Sequence, residues 1–288
     1  MSLNIISTDP SPEATFPLLS VARTLKGHKA SVTDTHIVGV GKTVYSCGKD
    51  GSIRLWDVAQ ASKVGSTLTS EGFNPIVRMS AANAANTEPA HPLTASGAPS
   101  SSSPEGHIIY AALENGSLNV FDTRVSTLVY ASPPVRRASA LLSIAHDPSS
   151  HLVATGSTTG VVEIYDTRHL PSPSSSPLGL NPLCGFKRSD TSIDDLLFVD
   201  SSPSSPSSSS LLVATGDGFP FRVSVSDLPT SSASIDDGGG LRVVEEYAAH
   251  ADEGVRVIRT RRRQDIANDH LAEFDIWTAG DDGFARRY

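Results

Sequence analysis

LKGHKASVTDTHIVGVGKTVYSCGKDGSIRLWDV, residues 25–58, opens on a Gly-His pair, carries three short strand patterns and closes on Trp-Asp. Its third pattern, GSIRLWD at 51–57, returns as GSLNVFD at 116–122 and as GVVEIYD at 160–166. A segment that recurs with a turn glycine in front and a Trp, Phe or Tyr before the closing Asp is one unit of a repeat array. Second strands with period-two alternation or an apolar run precede each copy, at Thr43 to Cys47, Ile108 to Ala112 and Leu152 to Thr155. Candidate first strands are Val32 to Val38, Ile76 to Ala81 and Ala140 to Ala145. A weaker fourth copy uses Ile193 to Val199, Leu211 to Thr215 and Phe221 to Val225, with a turn, Gly216 to Pro220, that departs from the common spacing. A fifth runs from Tyr247 through Val255 to Ile258 and ends in DIWTAGDDGFARRY, residues 275–288.

The segment 25–58 resembles a WD repeat, one blade of a β-propeller, in which a four-stranded antiparallel sheet is the repeating unit. The resemblance implies a polar clamp in four residues: Trp56 indole N–H to the Ser46 hydroxyl, Ser46 to the His28 ring, and His28 to the Asp50 carboxylate. Each group has the donor or acceptor that the next lacks. His250, Thr278, Asp282 and Tyr288 fall at the same positions in the fifth repeat, Tyr288 standing in for Trp. The second repeat has Ala111, Asn115 and Phe121 there, and the third Thr155, Thr159 and Tyr165. A His, Ser and Asp together also suggest a hydrolase triad, but this hydroxyl would face an indole and no substrate cleft is implied. The expected fold is an all-β WD-repeat propeller in one domain. It has about five visible blades, approximately 25–58, 73–124, 138–168, 190–228 and 245–288, plus an N-terminal blade fragment, as part of a seven-bladed ring.

The fragment is read from Ser2 to Thr8, which aligns with Ser117 to Thr123 and so resembles a third strand already under way at the first residue. Phe16 to Thr24 is the expected outer strand beside it. That pattern suggests a chain truncated at its N-terminus. The alternative is a small closed ring in which Leu3 to Ile6 pairs with Phe284 to Tyr288. Ser-, Pro-, Gly- and Ala-rich stretches at 83–104, 171–178, 201–210 and 231–240 bury too little apolar surface to offset ordering entropy and read as loop insertions.

With 288 residues and 38% hydrophobic content the chain can bury a substantial core. A formal charge of -8 argues against general affinity for phosphate backbones. No nucleic-acid, membrane or small-molecule partner is expected. Two cysteines give no disulfide framework, and no stretch approaches the ~20 apolar residues of a membrane span. The N-terminus lacks the features of a signal peptide, which suggests a cytoplasmic or nuclear protein. No phosphate-binding glycine loop, CxxC or HExxH spacing is visible, so neither cofactor, metal nor enzymatic turnover is expected. The basic run Arg259 to Arg263 reads as a solvated loop between first and second strands.

Function is then expected at the rim. Asp34, Glu114, Asp194, Asp195, Asp252, Glu253 and Asp281 read as loop acids at the clamp end of the disc, an arrangement that would speed capture of a basic partner. Residues 23–34 (RTLKGHKASVTD), 51–56 (GSIRLW) and 109–116 (IYAALENG) resemble the proteasomal ATPase-associated factor family. That resemblance, good over 23–57 and 105–124, implies an assembly chaperone of the proteasome regulatory particle. Such a protein holds the C-terminal domain of one base ATPase subunit on an acidic surface. The amino-terminal domain and further blades of the family have no counterpart in this sequence. A different reading comes from Asp122-Thr123-Arg124 and Asp166-Thr167-Arg168. They resemble the Asp-x-Arg motif by which WD-repeat substrate receptors dock on a cullin ubiquitin-ligase adaptor. Arg124 and Arg168 would offer planar donor forks, unless each pairs with its own turn Asp.

Overall fold

The computed structural model describes residues 2–7, 20–38, 42–81, 107–132, 139–169, 182–200, 209–225, 228, 241, 243–247, 250, 253–262 and 274–288. Among them every regular element is a strand or a single 3-10 turn. β1 (Ser2–Ser7) pairs antiparallel with β2 (Ser20–Lys26) as a two-stranded sheet. Leu3 therefore meets Leu25, not the fifth repeat, and the described part of the expected outer strand, Ser20 to Thr24, lies in β2. Residues 8–19 lie outside the described set.

Five sheets follow in chain order. Blade one is β3 (Val32–Val38), β4 (Thr43–Gly48), β5 (Ser52–Asp57) and β6 (Ser62–Thr69). Blade two is β7 (Ile76–Ala81), β8 (Ile108–Leu113), β9 (Leu118–Asp122) and β10 (Thr127–Ala131). Blade three is β11 (Leu141–Asp147), β12 (Leu152–Ser157), β13 (Val161–Asp166) and β14 (Cys184–Lys187). Blade four is β15 (Ile193–Asp200), β16 (Ser209–Thr215), β17 (Phe221–Ser224) and β18 (Val243–Glu246). Blade five is β19 (Val255–Arg262), β20 (Phe274–Gly280) and β21 (Ala285–Arg287). Each is an antiparallel meander, and first strands of successive blades lie side by side. This is the β-propeller architecture.

The meander repeats because one turn repeats. Gly51, Gly116, Gly160, Gly218 and Gly283 all lie at positive φ, between 67° and 83°, where a side chain is strained. Each donates its N–H three residues back, to Gly48, Leu113, Ser157, Thr215 and Gly280 carbonyls respectively. Blade four therefore keeps the spacing through Gly218. Val213 pairs with Phe221 as Ser46 pairs with Arg54, so the turn Gly216 to Pro220 does not depart from the common spacing and Asp217 stands at the position of Asp50.

Alternate residues of each sheet face opposite neighbours, and apolar side chains fill the spaces between blades. Cys47 and Ile53 meet Ile76, Met79 and Phe121 between blades one and two. Tyr110, Leu118 and Val120 meet Ile144, Val153 and Tyr165 between two and three. Leu152, Ile164 and Val162 meet Ile193, Leu211 and Phe221 between three and four. Leu197, Leu212 and Ala214 meet Val255, Ile258 and Ile276 between four and five. Two segments that read as loops are strand: Ser209 and Ser210 are buried in β16, and Arg259 to Arg262 continue β19. Pairing with Asp195 and with residues 274–277 overrides the arginines' local polarity.

Candidate functional site

The turn end of blade one is tied by the four residues that the WD pattern selects. The Trp56 indole donates to Ser46 Oγ at 2.7 Å, and Ser46 Oγ lies 2.7 Å from His28 Nε2. His28 Nδ1 lies 3.0 Å from Asp50 Oδ1. The bonds are compatible with one tautomer, Nδ1–H donating to the carboxylate and Nε2 accepting from serine. Ser46 is fully buried, with both hydroxyl roles taken, so it has no access to a substrate. The cluster is a clamp and not a nucleophilic triad. Asp50 also accepts the Lys29 N–H at 2.8 Å and the Ser52 hydroxyl at 2.7 Å. Burial raises its pKa, but the Lys29, Ser52 and His28 donors outweigh burial and hold the carboxyl at about 2.

Blade five repeats three members only. His250 Nε2 sits 2.9 Å from Thr278 Oγ1, and Nδ1 sits 2.9 Å from Asp282, which also pairs with Arg286. Tyr288 fills the Trp slot differently: its hydroxyl is buried with no partner among the described residues, and its ring packs on Tyr247 at 5.2 Å. In blade two Phe121 occupies the slot beside Ala111, while Asn115 caps the turn through Ser117. In blade three Tyr165 donates to Glu163 at 2.6 Å. Blade four places Thr215 Oγ1 2.5 Å from Asp217 Oδ1.

The seven acids divide sharply. Asp34 and Asp195 are the third residues of their first strands, and each accepts a backbone N–H from the next blade. Met79 donates to Asp34 at 3.0 Å, and Ile258 donates to Asp195 at 3.0 Å. Asp195 also holds Arg259 at 2.5 Å, and Arg256 bridges Asp194 and Asp281 at 2.9 and 2.6 Å. Asp34, Asp194 and Asp195 are thus strand residues that join blades, not free loop charges, and Asp281 is exposed but neutralised. Burial opposes ionisation of Asp34, yet His36 and the Met79 N–H keep its pKa below the usual value. Glu114 and Glu253 are exposed at the turn end, and Asp252 lies outside the described residues. Sequence reasoning missed these ties and the buried pair Glu163 and Tyr165. The repeated position of Asp34 and Asp195 in their strands was the available signal.

Both Asp-x-Arg motifs close on themselves. Arg124 places Nη2 2.6 Å from Asp122 Oδ2, and Arg168 places Nη2 2.6 Å from Asp166 Oδ2. The backbone N–H of each arginine adds a bond of 2.9 Å to the same carboxylate. Arg124 holds the pKa of Asp122 below its usual value, and the carboxylates of Asp122 and Asp166 raise those of Arg124 and Arg168, as expected for a fork on a carboxylate. The side chains nevertheless remain 51% and 62% exposed.

His146 gives the molecule a pH response. Its ring packs on Tyr110 at 4.7 Å, its Nδ1 has no partner among the described residues, and burial lowers its pKa to about 4. The unfolded chain then binds the proton more readily. Stability that is full above about pH 6.5 is expected to fall progressively as pH drops towards 4. His146→Phe should flatten urea midpoints across that window, and an unchanged slope would remove His146 as the cause. Burial also pushes the Cys47 thiol up to about 12 and Cys184 to about 11, so neither is a nucleophile. No group of three or more metal-ligating side chains is found among the described residues.

Fold and clamp together define a β-propeller whose first blade is of the WD-repeat type. Residues 19–57 match the WD domain, G-beta repeat family. Curated relatives include a nuclear distribution protein PAC1 of Arthroderma otae, 32% identical over 60% of this chain and 39% of its own length. The ribosome biogenesis protein YTM1 of Laccaria bicolor is 30% identical over 59% of this chain and 32% of its own. The chain therefore spans about two-fifths or less of these relatives. The crystal structure of Saccharomyces cerevisiae Sqt1 superposes with a TM-score of 0.66 at 14% identity, covering 100% of this chain and 66% of that one. That likeness establishes the fold.

Proposed function

We propose that the chain acts as a non-catalytic scaffold in protein assembly, binding a base ATPase subunit of the proteasome regulatory particle through its turn end. The observation that carries the scaffold reading is the clamp: its His, Ser and Asp are consumed in holding a blade, which leaves exposed turns to meet a partner. Glu114 and Glu253 are exposed acids of that end with no ion pair among the described residues, and they suit a basic partner surface. The proteasome assignment rests on the resemblance over residues 23–57 and 105–124. The YTM1 relative, by its name a ribosome biogenesis protein, supports an assembly role of a more general kind. A nuclear or cytoplasmic setting accords with either.

A second reading, docking on a cullin adaptor, is favoured by the matched, half-exposed forks of Arg124 and Arg168 in consecutive blades. One pull-down compares them. Purified base subunits are expected to be retained, and Glu114→Lys with Glu253→Lys should cut retention about tenfold at low salt. Capture of the cullin adaptor instead, lost in Arg124→Ala with Arg168→Ala, would overturn the first reading. Retention of neither would refute both partner assignments.

A further inference from the structure

The turn end of the disc carries opposite charges on its first two blades. Lys49 precedes Asp50 and Glu114 precedes Asn115, at equivalent places in their turns. Each donates its N–H to the residue before the first strand of its own blade, Lys49 to Ser31 at 2.8 Å and Glu114 to Pro75 at 3.0 Å. Lys29 lies beside Lys49, because its N–H reaches the Asp50 carboxylate at 2.8 Å. Lys29, Lys49, Glu71 and Glu114 are exposed, and none makes an ion pair among the described residues.

Phe73 stands between the two signs. Its backbone lies on the turn of blade one, where a Cβ on Gly51 would come within 2.6 Å of the Phe73 carbonyl. Two residues on is Pro75, whose carbonyl the Glu114 N–H holds. At 69% exposure Phe73 is the most exposed large apolar residue among those described. Its φ of 56° is a left-handed conformation that disfavours a bulky side chain. The loop nevertheless fixes it there. Its N–H bonds the Ser70 carbonyl at 3.1 Å, the Ser70 N–H bonds the Gly51 carbonyl at 2.8 Å, and the Ser70 hydroxyl bonds the Asn74 carbonyl at 2.7 Å. The residues that lie on the corresponding glycines of blades two, three and four are Ser139, Ser189 and Glu253, so the turn itself does not call for an aromatic ring.

A face that runs from positive through apolar to negative is its own complement. A two-fold axis through Phe73 brings Lys49 of one copy to Glu114 of the other and ring to ring, as an isologous contact requires. We propose that the chain pairs with a second copy of itself through this face, Phe73 packing on Phe73 at the centre and Lys29 and Lys49 meeting Glu71 and Glu114 at the rim. The rings bury apolar surface, and the charges fix the orientation. The proposal goes beyond the partner readings and does not depend on them. It shares Glu114 with the first of them, so a second copy and a partner would compete for this end.

Sedimentation velocity of the purified chain over a range of concentrations is the test. A salt-sensitive equilibrium between monomer and dimer is expected below about 100 μM. Phe73→Ser, which installs the residue found at the corresponding place in blades two and three, should weaken the dimer at least about tenfold. Lys49→Glu and Glu114→Lys should each weaken it about tenfold, and each places in one turn the side chain that the equivalent turn already carries. Lys49→Glu with Glu114→Lys in one chain restores the complement and should dimerise like the unmodified protein. The two single variants, mixed, should form a heterodimer. A chain that stays monomeric up to about 100 μM, a dimer indifferent to Phe73→Ser, or a double variant no better than its single variants would overturn the proposal. The samples contain no proteasome or cullin component, so this result and the partner readings fail separately.

Discussion

Ser46→Ala is expected to lower the unfolding free energy by about 2–4 kcal/mol, because it strands two buried partners at once. Trp56 Nε1 loses its acceptor and His28 Nε2 loses its donor, each at 2.7 Å in the intact clamp. Leaving one buried polar group unpaired costs about 1–3 kcal/mol, whereas removing both partners of a bond together costs much less. The double variant Ser46→Ala with Trp56→Phe should therefore lose less than the sum of its single variants. Blade two supports this, since Ala111 and Phe121 occupy the same two positions in a buried environment. Urea denaturation of the four proteins closes the cycle. Strict additivity would show that the serine does not link the indole to the imidazole.

Gly160→Ala is expected to be at least as damaging, and Gly283→Ala to be mild. Both glycines have positive φ, 80° and 76°, and a side chain there costs about 1–2 kcal/mol. The difference lies in what the new carbon meets. At Gly160 it would lie 2.0 Å from the Ser189 carbonyl oxygen, a backbone atom that moves only if the approach to blade four moves. At Gly283 it meets nothing within 4 Å among the described residues. Gly160→Ala should then cost about 3 kcal/mol or more and Gly283→Ala about 1. Equal urea midpoints would mean that the Gly160 turn does not set the spacing between blades. The contrast is independent of the clamp, because Gly160 belongs to a blade that lacks it.

The acidic residues follow the same logic of partners. Charge reversal at Asp195 would oppose the Ile258 N–H and Arg259 together, so a loss of binding in such a variant would report unfolding. Glu114 and Glu253, whose side chains are exposed, are the positions where charge and fold can be separated.

Local pattern determined much of this protein. The alternation of Thr43 to Cys47, the recurring Gly-x-x-x-x-aromatic-Asp runs and the His28, Ser46, Asp50 and Trp56 spacing all act within one blade. Their hydrogen-bond partners lie at most 24 residues apart in the chain. Such short-range order is visible in the sequence because strand period and turn glycine are local properties. What the tertiary structure alone decided is where charge is spent. Asp34 and Asp195 bind N–H groups 45 and 63 residues away, in the next blade, and no local pattern shows that another sheet will lie against them. The arginines after residue 258 became strand for the same reason: Asp195 and β20 lie beside them only once the blades are stacked. Tyr288 completes the contrast, since its sequence position marks an aromatic slot but only the packed blade shows that its hydroxyl finds no partner among the described residues.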